Sequence, residues 1–252
     1  MKLPSWNAES LRFTAFCDDL PDLSSITWWD DVIGEPSESQ SIKRREGRLV
    51  ESGVVGDDEL PFSLSVQQAD NRIEWRAGSG AIALPSTEGL GSFPDVQDRL
   101  TEYVSKWFEN VEISVHRMAF GAILSTPVES VDSGYKILND LVPGVLVDTD
   151  LWSDLMLRFN IPTVSDVIDE MQINCLRTWC IAQIWQLNIL GVIGKGTSQF
   201  SGESPEPTTK VRLELDINTD ASRSLPIDSE NTLALFRELV SIGNNIASTS
   251  NG

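Results

Sequence analysis

Histidine is almost absent from this chain. Its 252 residues hold one, His116, so any Ser/His/Asp or Cys/His mechanism has to use it. That histidine stands in the apolar stretch His116-Arg117-Met118-Ala119-Phe120-Gly121-Ala122, and no Gly-x-Ser-x-Gly elbow occurs. The composition therefore points to a strand histidine in a non-enzymatic protein. Cysteine is scarce too. Cys17, Cys175 and Cys180 are odd in number and apolar in context, as expected for buried thiols in a reducing compartment. With the one histidine they make no convincing closed zinc site, because the spacing of Cys175 and Cys180 puts them on opposite faces of a strand. Positive charge is short: 19 Lys and Arg stand against 38 Asp and Glu, a net charge of −19. Such a chain repels phosphate backbones and anionic membranes, which argues against non-specific binding to either. No apolar run approaches the ~20 residues that span a bilayer, and Met1 to Trp6 lack a signal core. The expected location is the cytoplasm.

What is present is a hydrophobic fraction of 40%, eight tryptophans and a firm alternation of apolar and polar positions. The clearest unit closes the chain. Val211, Leu213, Leu215 and Ile217 alternate with Arg212, Glu214, Asp216 and Asn218, a strand with one buried and one wet face. After Pro226, Asp228 or Ser229 caps a helix whose apolar stripe is Leu233, Phe236, Leu239, Val240, Gly243 and Ile246. Earlier strands are expected at residues 10–17, 49–55, 62–66, 73–77, 111–124 and 155–161. A short helix or turn ends at Gly34, a second helix runs from Pro94–Asp95 to about Asn110, and a third from Ser130 or Asp132 to Leu141. Residues 173–193 read as strand by their β-branched and aromatic content, with helix as the alternative, and Glu35–Arg48 reads as an exposed loop. The expected fold is α+β: a mostly antiparallel sheet with amphipathic helices on one face, one domain over 1–252. Residues 9–110 and 111–248 share an order of several strands and then a helix, so two repeated halves with one core are a hypothesis.

The chemical motifs are near misses. Asp216-x-Asn218-x-Asp220 opens like a calcium loop, but Ala221 stands where the turn needs glycine and Ile227 where a bidentate glutamate is needed. Gly191 to Thr197 lacks the Lys-Ser/Thr step and the following helix of a phosphate loop. No cofactor is implied. Asp148, Asp150 and Asp154 could hold magnesium for a metal-dependent hydrolase or transferase, an alternative reading. The residues singled out for binding a protein are Asp148, Asp150, Trp152 and Asp154, in a segment with seven acids between Asp140 and Cys175 against Arg158 alone. The basic cluster Lys43-Arg44-Arg45 joins them as a second candidate.

Three stretches carry a resemblance: His116 to Ala122, Ile173-Asn174-Cys175-Leu176-Arg177-Thr178-Trp179, and Leu213-Glu214-Leu215-Asp216-Ile217-Asn218-Thr219. In that order the chain resembles, over most of residues 10–248, a sporadically distributed bacterial family of uncharacterised proteins. The resemblance implies an accessory component of mobile-element or anti-phage defence loci and supplies no catalytic residues. The leading expectation is a cytoplasmic binding or adaptor protein, an accessory subunit whose protein partner has a basic surface. An acidic inhibitor or DNA mimic that occupies a basic site is the other alternative.

Overall fold

The structure is a computed structural model that describes residues 4–78, 89–142, 144, 148, 151, 153–185, 206–222 and 226–249. The alternating stretches become strands: β1 (Asn7–Cys17), β2 (Ser39–Lys43), β3 (Arg48–Val55), β4 (Phe62–Ala69) and β5 (Arg72–Gly78). The later strands are β6 (Val115–Val128), β7 (Met156–Asn160), β8 (Thr163–Val164), β9 (Gln172–Ile184) and β10 (Thr208–Thr219). The helices are α1 (Trp28–Ile33), α2 (Phe93–Asn110), α3 (Val131–Leu141) and α4 (Ser229–Ser248). The fold is α+β, with one antiparallel sheet in the order β2-β3-β4-β5-β1-β6-β10-β9-β7 and β8 paired to β9.

The centre of the sheet is the antiparallel pair β1 and β6, where Phe13 faces Phe120. Outward from β1 come β5, β4, β3 and β2; outward from β6 come β10, β9 and β7. In each direction the strand that pairs with the central one is followed in the chain by a long helix, α2 after β5 and α4 after β10. Helix ends follow local chemistry. Ser92 accepts a bond from the Asp95 N–H at the start of α2. Ser130 and Ser133 form a reciprocal capping box on α3. Gly34 ends α1 at φ 86°, a left-handed position that costs glycine nothing.

All four helices lie on one side. α2 and α4 pack on the central strands and on each other, α3 on β6, β9 and β10, and α1 on α2. Between them and the sheet lies an aromatic core. Phe13 packs 4.7 Å from Phe236 and 5.4 Å from Phe108, while Trp107 meets Trp28, Trp75 and Phe13 at 6.0–6.4 Å in edge-to-face contacts. Trp6 ties the start of the chain to its end, donating from Nε1 to the Ala247 carbonyl at 2.9 Å. Two expectations change. Residues 39–43 of the expected Glu35–Arg48 loop are strand β2, a fully exposed edge whose hydrogen bonds to β3 replace the missing apolar alternation. The strand expected from Val111 begins at Val115 and runs on to Val128, held on both sides by β1 and β10. Residues 172–184 are strand, paired along their length with β10; residues 186–193 lie outside the described segments, as does the glycine-rich stretch 191–197.

Candidate functional site

The side of the sheet away from the helices carries no secondary structure among the described residues, and strand registers show what it presents. One row crosses nine strands: Ser39, Ser52, Ser65, Arg76, Arg12, Gly121, Asp216, Leu176 and Asn160. A neighbouring row runs Gly78, Ser10, Ile123, Glu214, Thr178 and Arg158. These are the polar phases of the alternation whose apolar phases, such as Leu11, Phe13, Leu215 and Trp179, lie in the core. In the middle of this face sits an open cleft of about 450 Å³, where the small Ser10, Gly121 and Thr178 lie among Arg12, Arg76, Arg158 and larger apolar side chains such as Met156 and Leu176. A broader depression continues over β3, β4 and β5 past Arg48 and Arg72.

This face does not share the chain's excess of acids: Arg12, Arg48, Arg72, Arg76, Arg117, Arg158, Lys210 and Arg212 stand on it with Glu9, Glu38, Glu46, Asp70, Glu74, Glu214 and Asp216, a nearly even balance. Four of the acids are met by an arginine or lysine: Glu74 by Arg76 at 2.8 Å, Asp216 by Arg12 at 3.8 Å, Glu9 by Arg212 at 3.3 Å and by Lys210 at 3.4 Å, and Glu214 by Arg212 at 3.3 Å. Arg117 reaches the Asn218 Oδ1 at 3.1 Å and lies 4.8 Å over the Phe16 ring. Arg72 and Arg158 are exposed and have no acid within ion-pair distance among the described residues. The acids are concentrated elsewhere, as on α2, where Asp95, Asp98, Glu102 and Glu109 are exposed.

Those of the residues singled out from the sequence that the structure describes lie at the two ends of the sheet. Lys43 ends β2, exposed, with Glu46 at 3.3 Å, and Arg44 and Arg45 occupy the exposed turn after it. Asp148 and Asp154 are exposed near the opposite edge, Asp154 at φ 54° just before β7; Asp150 and Trp152 lie outside the described residues. The structure does not bring these two groups together. The calcium-like Asp216 and Asn218 instead serve the open face, and Asp220 accepts from the Ser222 N–H and hydroxyl, which holds its carboxyl below the usual range. No group of three or more His, Cys, Asp or Glu among the described residues is placed to hold a metal. His116 has Asp18 at 3.4 Å. Cys17, which pairs with the adjacent Val115, is pushed up to about 12 by burial and by Asp18, so it offers no thiolate at neutral pH.

No local pattern marks the arginines of the open face, because they are scattered over six strands far apart in the chain. The signal is the polar phase of β1, β3, β5, β6, β7 and β10, which carries at least one Arg on a chain that favours acids two to one. No family model, curated protein or solved structure matches the chain. The bacterial resemblance accordingly rests on its three stretches, which form parts of β6, β9 and β10.

Proposed function

We propose that this is a cytoplasmic, non-enzymatic binding or adaptor protein whose recognition surface is the open face of the sheet. The observation that carries the reading is the cleft over Gly121, walled by arginines on a chain of net charge −19. A face used only for solubility would share the acidity of the rest. Sheets with one uncovered face present a rigid array of side chains at fixed spacing, which suits recognition more than chemistry. On the resemblance, such an adaptor would be an accessory subunit of a bacterial assembly.

The opposite side favours a second contact. The exposed acids of α2 fit the expected basic-surfaced protein partner, and the same acids are what an inhibitor or DNA mimic would use. The two surfaces separate in one experiment: tagged protein is recovered from its own cells with Thr178→Trp, which fills the cleft, or with Asp98→Lys, which reverses a charge on α2. The partner is expected to be lost with Thr178→Trp and kept with Asp98→Lys. The reverse pattern moves the surface to the helix side, and the absence of any stable partner of the wild type removes the adaptor reading.

A further inference from the structure

Arg12 of β1 and Arg76 of β5 are direct cross-strand partners, both turned to the open face. Like charges set directly opposite each other weaken an antiparallel pair, so folding alone gives no reason for this placement. Their acidic neighbours relieve it unevenly. Glu74 sits 2.8 Å from Arg76, whereas Asp216 comes only to 3.8 Å from Arg12, and both arginine side chains stay more than 40% exposed. Beside Arg12 the chain places glycine: a Cβ on Gly121 would lie 2.6 Å from the Arg12 Nε, so the guanidinium lies across a position kept bare. Arg158 looks onto the same cleft from β7, exposed and without an acid partner among the described residues.

We propose that this cleft takes a short acidic polypeptide segment in extended form, its Asp or Glu carboxylates held by Arg12, Arg76 and Arg158. The proposal rests on the open face being the recognition surface. A carboxylate accepts two parallel bonds from a guanidinium fork, and one lying between Arg12 and Arg76 converts a repelling pair into a bridged one. The small side chains of Ser10, Gly121 and Thr178 leave room for a backbone above the floor. The charge pattern selects a peptide over a nucleic acid. Glu214 and Asp216 share the floor, so a chain with a charge at every link meets repulsion that spaced carboxylates avoid. A long polyanion would also run off this face onto a chain of net charge −19. A segment confined to the cleft feels mainly charges within a Debye length of about 8 Å.

The test is fluorescence anisotropy on the whole protein with three labelled probes. They are a peptide of alternating Glu and Ser about ten residues long, which spans ~33 Å extended, the same peptide with Gln for Glu, and an oligothymidylate of equal length. The Glu peptide is expected to bind at least about tenfold more tightly than the Gln peptide, and to weaken about tenfold between ~50 and ~300 mM salt. Arg12→Gln with Arg76→Gln is expected to weaken it about tenfold with an unchanged circular dichroism spectrum, because half-exposed pairs add little to stability. Thr178→Glu, which puts a negative charge on the floor and removes no arginine, is expected to weaken it as well. No saturable binding of the Glu peptide, equal binding of the Gln peptide, or tighter binding of the oligothymidylate overturns the proposal. If Thr178→Trp abolishes capture of the natural partner while the Glu peptide does not bind, the surface stands and its acidic occupant falls. If Thr178→Trp leaves the partner bound, the surface itself falls.

Discussion

Glu51 occupies the helix-covered side of β3, 5% exposed, where the alternation calls for an apolar residue. Its Oε1 accepts from Gln40 Nε2 at 2.9 Å. Burial raises its carboxyl above the usual range, with Asp30 adding to the rise and the Gln40 bond opposing it. The native state thus holds this proton more tightly than the unfolded chain. The stabilisation is complete below the unfolded value near 4.5 and is lost as pH rises through the folded one. Glu51→Gln keeps an acceptor for Gln40 and removes the buried charge. It is expected to melt higher than wild type at pH 7 and level with it near pH 4 in paired thermal melts. Arg177 is a comparable intrusion on β9: 8% exposed, on the core side beside Phe159, with Nε and Nη1 unpartnered among the described residues, and lowered from its ordinary value by burial. Neither residue announced itself in the sequence, because alternation reports which face a side chain takes and says nothing of what it meets there.

The closing strand and helix show how far an element can be read in advance. Val211 to Ile217 and the stripe from Leu233 to Ile246 fall where the periods of two and 3.6 put them; Asp228 holds the N-cap position of α4, but without the expected cap bond from its side chain. Gly243 belongs to that stripe for a reason the period does not contain. A Cβ there would lie 2.8 Å from Cε1 of Phe120, which is 1% exposed and has nowhere to retreat. Gly243→Ala gains about 1 kcal/mol of helix propensity, but overpacking a closed core costs about 1–3 kcal/mol. A net loss of up to about 2 kcal/mol is expected, read as a lower urea midpoint with an unchanged slope. Strand β2 is the opposite case. Ser39 to Lys43 has no buried position, so no periodicity marks it, and only its pairing with β3 makes it a strand. The Ile173 stretch fell between these: its content favoured strand, and the long pairing with β10 decided it.

At the scale of the whole molecule the two runs of strands share one core. β1 pairs with β6, Phe13 of β1 packs on Phe236 of α4, and Trp6 bonds to Ala247, so neither run buries its aromatic residues alone. Unfolding is therefore expected as a single transition in which tryptophan fluorescence and far-ultraviolet circular dichroism coincide; two resolved transitions would show halves that melt separately. By itself the sequence determined the α+β class, most strands and helices and the apolar faces, because these depend on local periods and caps. The tertiary structure alone decided which polar phases meet. Arg12, Arg76, Gly121 and Arg158 stand on four strands far apart in the chain, and only the register of the sheet sets them around one cleft. The net charge of −19 is a sum over all residues; where its exceptions gather depends on strand order, which long-range pairing fixes and no local pattern records.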